Sequence, residues 1–275
     1  MQLYLGIDGG GTGCRAAVAD AAGVVRGRGE AGPANIASDP VGAAENILLA
    51  STAALAAAGG GEVVAAGLGL AGANAAGAPE RLRAALPYGR VTVVTDAITA
   101  VKGALGSGDG IVAAIGTGSV FAVQRAGVIR QIGGRGLVLG DEASGAWIGR
   151  AVLRAALRAV DGFMPITPML SALIDEMGGA DGVVAFSLRA RPVDFAGLAP
   201  RLLDSTDAAA QAVMAQATQD VAEAITVLQQ GGSLPVVFLG GLGPHFAGRL
   251  QGRWDIRPAQ GSALDGALML AREAA

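Results

Sequence analysis

The chain has 275 residues, 52% of them apolar and 16% charged, with a formal net charge of −3. That length suits one large domain or two modest ones with their own cores, and the composition excludes a disordered chain. The acidic balance argues against nucleic acid as the main partner, because phosphate backbones select basic surfaces.

Residues 3–8 and 14–19 alternate as strands around a glycine turn, and 23–30 adds a third strand. A helix is expected over 41–58, ended by Gly59-Gly60-Gly61, then a buried strand over 63–70 and a helix over 79–86. A β-branched strand spans 91–95 and a helix 97–105. The pattern then restarts: strands at 110–115, 120–124 and 128–132, with the turn Gly116-Thr117-Gly118-Ser119 after the first. A long helix is expected over 142–160, mixed helical structure over 161–205, and a strong helix over 208–230. A strand at 236–239 precedes Gly240-Gly241-Leu242-Gly243, and a last helix over 263–271 has Ser262 as N-cap with Asp265 at N3. Strands alternating with helices indicate an α/β architecture. A strand–glycine turn–strand unit opens each half, so the domain boundary is placed near residues 97–105.

Scarce residues narrow the chemistry. Lys102 is the only lysine and is followed by glycine, so no P-loop Gly-Lys-Ser/Thr is present. His245 is the only histidine, on which any Ser-His-Asp hydrolase would have to rest. One cysteine, Cys14, cannot form an internal disulfide or a cysteine-built metal site, and it fits a reducing compartment. The opening MQLYLGIDGG has no basic leader region, so a cytoplasmic protein is expected. The mean hydropathy of +0.48 raises the question of a membrane span. The longest uncharged stretch, 224–248, is broken by Gln229-Gln230-Gly231-Gly232-Ser233, two prolines and His245, so no membrane partner is expected.

Glycine supplies 45 residues, against the ~7% usual for proteins, so chance matches to glycine motifs must be discounted. GRGEAG (27–32) and GLGLAG (67–72) both fit the dinucleotide pattern, but neither lies in a convincing βαβ unit. Asp8-Gly9-Gly10-Gly11-Thr12 is different. Glycines let backbone approach a ligand, successive N–H groups can cradle phosphate, and Asp8 makes sense with a divalent cation between it and the phosphates. Read locally, the same residues also make a tight hairpin. The second turn, Thr117-Gly118-Ser119, repeats the chemistry, which suggests a clamp on a triphosphate from two lobes. Asp96, at the end of a short strand, is either a general base or an ordinary helix N-cap. Asp141 and Glu142 are either dipole partners of the following helix or, for Asp141, an acceptor for sugar hydroxyls.

The ordered set DGGGT, VTDA, IGTGS, GGRGLVLGDEASGAWIG and LGGLG resembles the N-acetylglucosamine kinase branch of the BadF/BadG-type ATPases, in the actin-like superfamily. The resemblance covers residues 3 to about 160 and about 235 to 272. It implies a two-lobed, ribonuclease H-like α/β fold with a nucleotide cleft between lobes, here 1–103 and 104–275, the final helix packing back on the first. It also implies an ATP-dependent kinase acting on the 6-hydroxyl of glucosamine or N-acetylglucosamine. Asp8 would organise Mg²⁺ through water, and Gly10, Gly11, Thr12, Thr117, Gly118 and Ser119 would hold phosphates. Asp96 would be the base, Asn35, Gly72 and Asp141 would contact sugar, and Gly241 and Gly243 would lie by the adenosine.

Two features depart from the family pattern. Arg135 stands where relatives often carry tryptophan, and the chain is shorter than many of them. Electron-feeding activator ATPases of the family use two cysteines per subunit, which Cys14 alone does not supply. A non-catalytic sugar sensor would keep the fold without turnover. The 208–230 helix offers a face on which a homodimer could form.

Overall fold

The computed structural model describes residues 1–275. In chain order the elements are β1 (Gln2–Gly9), β2 (Cys14–Ala19), β3 (Val25–Ala31), α1 (Pro40–Ala57), β4 (Glu62–Leu70), α2 (Ala78–Ala85), β5 (Val91–Thr95) and α3 (Asp96–Leu105). There follow β6 (Gly110–Ile115), β7 (Ser119–Arg125), β8 (Val128–Gly133), α4 (Gly145–Val160), α5 (Pro168–Glu176), α6 (Ala180–Ser187), α7 (Pro192–Ala196) and α8 (Pro200–Leu203). The chain ends with α9 (Ala208–Gln229), β9 (Val236–Leu239), α10 (Gly243–Arg249) and α11 (Ala263–Glu273). Contacts divide it into one unit of Met1–Asp109, Gln124–Ile129 and Pro258–Ala275, and another of Gly110–Val123 and Arg130–Arg257.

The first unit is a five-stranded sheet in the order β3-β2-β1-β4-β5. β1, β2 and β3 are antiparallel neighbours, whereas β4 and β5 run parallel to β1. One face packs against α1 through Leu5, Ile7, Ile47 and Leu68, all fully buried. Helix backbones approach this sheet so closely that side chains are excluded. A Cβ at Gly27 would sit 2.1 Å from the Ala54 carbonyl oxygen of α1, and one at Gly67 would sit 2.3 Å from that of Ala267 on α11. The last helix therefore belongs to the first unit, capped by the expected reciprocal bonds between Ser262 and Asp265. By length and composition α1 could cross a membrane, but here it lays Ala43, Ile47, Ala50 and Ala54 into the core.

The second unit is a four-stranded sheet in the order β8-β7-β6-β9, with β6 and β9 parallel. Its core joins Ile111 and Ile115 to Ile148 of α4, Leu170 of α5 and Met214 and Ile225 of α9. The uncharged stretch 224–248 is not one apolar helix: it is the end of α9, a turn, β9 and part of α10. That last helix has no counterpart in the sequence reading, since its seven residues open on Gly243-Pro244 and look like loop.

One expectation is corrected. The long helix begins at Gly145, not at residue 142, with Ser144 as N-cap accepting from the Trp147 N–H at 3.1 Å. Asp141 and Ala143 adopt positive φ of 56° and 63°, which breaks a right-handed helix. Asp141 and Glu142 are thus outside the helix, and its first turn holds no acid.

The substitution Gly67→Ala forces a methyl group onto the α11 backbone, and overpacking of this kind costs about 1–3 kcal/mol. Urea denaturation should show that loss; an unchanged midpoint would mean that the glycine does not set the helix–sheet spacing.

Candidate functional site

In the first unit the candidate residues gather at the carboxyl ends of the parallel strands. Register places Asp8 beside Gly69, Gly9 beside Leu70, and Leu70 beside Thr95. Asp96 follows directly, and the Gly10–Thr12 turn leaves the same edge. Ligands of open α/β sheets characteristically bind outside these strand ends. The turn is closed by the Gly10 N–H, which donates to the Gly13 carbonyl at 2.9 Å. Gly10 therefore shapes the loop, while Gly11 and Thr12 are exposed at its tip, and added Cβ atoms at Gly10 and Gly11 would meet nothing within 4 Å.

Asn35 is held against the same edge. Its Oδ1 accepts from the Ala37 N–H at 3.0 Å and the Ser38 N–H at 3.2 Å, which orients the amide. The Ile36 N–H donates to the Ala71 carbonyl at 3.1 Å, bringing this turn onto the loop after β4. Gly72 adopts φ +82°, and a Cβ there would lie 2.6 Å from Asn35 Oδ1. Asn35 and Gly72 are thus immediate neighbours. Asn46 of α1 supports the segment through a 2.8 Å bond to the Pro33 carbonyl.

Asp96 opens α3 as its first residue; the N-cap residue is Thr95, whose hydroxyl makes no capping hydrogen bond. Its Oδ1 accepts from the Ala97 N–H at 2.9 Å, which fixes the carboxylate plane. The side chain reaches solvent, yet protein surrounds it enough that desolvation raises its pKa; the Ala97 N–H opposes this and the Asp8 charge adds to it. Asp8 itself is ion-paired with Arg15, its register partner on β2. The sequence reading missed Arg15; the two-residue alternation of β2 puts it on the face opposite to buried Cys14 and Ala16. Cys14 is 1% exposed, and burial, followed by the Asp8 charge, pushes its thiol up to about 12. The thiolate needed for alkylation is therefore scarce.

In the second unit the β6–β7 turn repeats the first: the Gly116 N–H donates to the Gly118 carbonyl at 2.9 Å, leaving Thr117 exposed at the tip. Ser119 is 5% exposed, and its hydroxyl donates to the Glu142 carbonyl at 2.7 Å. It ties the turn to the Asp141 loop. Asp141 Oδ2 lies 2.9 Å from where a Gly118 Cβ would be, and Oδ1 accepts from the Gly136 N–H at 3.0 Å. Burial raises the Asp141 pKa, opposed by the Gly136 bond and reinforced by the Glu142 charge. Left-handed conformations at non-glycine residues such as Asp141 and Ala143 carry a cost, and such strain concentrates at functional sites.

The loop after β9 meets the same turn. The Leu242 N–H donates to the Ile115 carbonyl at 3.0 Å, and a Cβ at Gly240 would sit 2.3 Å from that oxygen. Gly241 is exposed with open space beside it. Gly243 is buried, a Cβ there meeting the Phe238 backbone carbon at 3.2 Å, so it packs α10 onto β9. Arg135, also unpredicted in position, lies exposed over Gly140.

The model of the BadF/BadG/BcrA/BcrD ATPase family matches residues 5–245. The chain belongs to that family. Glucosamine kinase GspK of Vibrio cholerae is 30% identical, the match covering 98% of this chain and 96% of that protein. A crystal structure described as an N-acetylglucosamine kinase of Chromobacterium violaceum is 32% identical, with a TM-score of 0.83, covering 98% and 99% of the two chains. A ROK family glucokinase of Streptomyces griseus, solved with glucose and AMPPNP, shares the fold at 19% identity and a TM-score of 0.57, covering 98% and 99%. The BadF-family chain thus has the actin-like α/β fold that its motif order implied.

Removing the Ser119 hydroxyl should loosen the join between the turn and the Asp141 loop. Ser119→Ala is expected to cost about 0.5–1.5 kcal/mol, the net worth of one hydrogen bond, in a denaturant titration. No change in stability would assign that hydroxyl to solvent or ligand instead.

Proposed function

We propose that this BadF-family chain is an ATP-dependent sugar kinase transferring the γ-phosphoryl group of ATP to the 6-hydroxyl of a hexosamine, glucosamine or N-acetylglucosamine. The observation that carries the reading is the grouping of Asp96, Asp8, Asn35, Gly72 and the Gly10–Thr12 turn at the carboxyl ends of β1, β4 and β5. Full-length similarity to a glucosamine kinase supports the same substrate class.

Asp96 is the base in this scheme. The Ala97 N–H holds Oδ1, which leaves Oδ2 to take the hydroxyl proton as the phosphoryl group transfers. Its raised pKa brings a carboxylate nearer the working pH and strengthens it as an acceptor. The Asn35 amide and Asp141 orient sugar hydroxyls. Gly11, Thr12, Thr117 and Gly118 offer N–H and hydroxyl donors to phosphate oxygens, where preorganised donors stabilise developing charge. Gly10 and Ser119 act mainly by shaping those turns, and Gly241 leaves open surface for the adenosine beside packed Gly243.

Magnesium enters as MgATP. It keeps most of its waters and takes one or two carboxylates plus phosphates, rather than a protein cage. The residues fit that habit: Asp8 is a carboxylate at the base of the first turn, ion-paired with Arg15 in this structure, and no group of three or more His, Cys, Asp or Glu side chains surrounds a point. The ion neutralises phosphate charge; Asp8 would hold it through water. A cytoplasmic setting, consistent with the lone buried thiol, completes the proposal.

Coupled ADP release with MgATP should depend on glucosamine or N-acetylglucosamine and be far weaker with glucose and mannose. ATP binding without sugar-dependent release would favour a sensor and remove the kinase reading. Asp96→Asn should lower kcat by roughly 10²–10⁴-fold with nucleotide affinity retained, the range of a positioned general base; near-normal turnover would remove Asp96 from that role. Because Asp96 must be ionised to accept a proton and its pKa is raised, kcat/KM should fall as pH drops through a value above the ordinary carboxylate range. A pH–rate profile flat into the acid range would contradict the assignment.

A further inference from the structure

The second unit contains a cavity that none of the chemistry above uses. About 610 Å³ of space lies along α4, between it and α6 and α7, within the range that holds a small organic ligand. Its floor is apolar: Leu153, Val183 and Phe195 are 3%, 1% and 6% exposed and form a packed cluster with Leu137. Its edge is strongly basic. Arg150, Arg154 and Arg158 line it at four-residue spacing, so they stand on one face of α4 about 6 Å apart along the axis.

These arginines are not neutralised. None of the ion pairs in the protein involves them. Arg150 donates to the Leu137 carbonyl, Arg158 lies 5.0 Å from the Phe163 ring centroid, and one carboxylate, Asp161, lines the cavity with them. Three guanidiniums face one acid in a chain whose net charge is −3. The exposed apolar side chain of Val138, 87% accessible, lines the same cavity. Exposed apolar surface beside unpaired guanidiniums marks a binding surface for something both apolar and anionic. The same arginine row borders a groove on its other side, whose apolar lining is three alanines with Trp147, Met164 and Val213, the last three packed toward the main core of this unit.

We propose that this cavity is a second ligand site for an amphipathic organic anion, an acyl or aromatic body carrying a carboxylate or phosphate head. The body occupies the Leu153–Val183–Phe195 floor, and the head is bound by Arg154 with Arg150 or Arg158. Sugars and sugar phosphates, which have no apolar body, do not satisfy the floor. A nucleotide binds elsewhere in the proposed kinase, so the site is independent of catalysis.

The test uses the full chain and 8-anilinonaphthalene-1-sulfonate, an aromatic anion whose fluorescence rises on leaving water. Wild type should bind one equivalent saturably, and saturating MgATP should not displace it. Laurate and dodecyl phosphate should each compete; the stronger competitor identifies the preferred head group. Arg154→Glu reverses the central charge and Ser187→Trp obstructs the opening; each should weaken binding at least tenfold while the melting temperature stays near wild type. Both positions are exposed, so a folded protein is expected. Displacement by MgATP, or affinity unchanged in both variants, would overturn the site, as would the absence of any saturable binding.

Discussion

The first unit depends on how closely its helices approach its sheet. At Gly6 and Gly67 the α11 backbone fills the space a side chain would take, and at Gly27 and Gly29 the α1 backbone does so. The two helices on the far face meet in the same way: a Cβ on Gly103 of α3 would lie 1.8 Å from the Ser262 carbonyl oxygen, and one on Gly266 of α11 would lie 2.0 Å from that of Thr99. Interiors are packed to crystal density, so such contacts leave no freedom to slide. Helix positions are therefore fixed to the sheet by backbone, not by adjustable side chains.

That rigidity is what the strand ends require. Asp8, Leu70 and Thr95 are brought into line by parallel register alone, and Asp96 follows as the first residue of a helix locked against α11. A carboxylate placed by a strand–helix junction holds its position better than one on a free loop. Its neighbours are set by equally short links, such as the Ile36–Ala71 bond that carries Asn35 to Gly72.

Much of this was legible in the sequence, because strands β1, β2, β4, β5, β6 and β9 are short, β-branched or apolar runs punctuated by glycine. The glycine turns announced the candidate site through their spacing and their neighbouring acids. What escaped was the second use of glycine. GRGEAG and GLGLAG look like chance dinucleotide motifs, but Gly27, Gly29, Gly67 and Gly69 are contact points for helices and for Thr99. Such contacts join residues far apart in sequence, so no local pattern reports them. Arg15 escaped for a related reason: its partner Asp8 is adjacent only through strand register. The start of α4 was misplaced because Asp141 and Ala143 take left-handed backbone that their residue types do not advertise.

The two glycine turns also divide their donors in the same way. In each, the N–H of the first turn glycine, Gly10 or Gly116, closes the hairpin by bonding across it. A closing donor cannot bond a phosphate without opening its own turn. At the tips, Gly11 and Thr12 in one turn and Thr117 in the other are exposed and take no part in the closing bond. Ser119 is likewise committed, to the Glu142 carbonyl, and through that bond the second turn is tied to the loop holding Asp141. A side chain that shapes its turn can matter as much as one that touches the ligand, because donors arranged before binding need no rearrangement when charge develops.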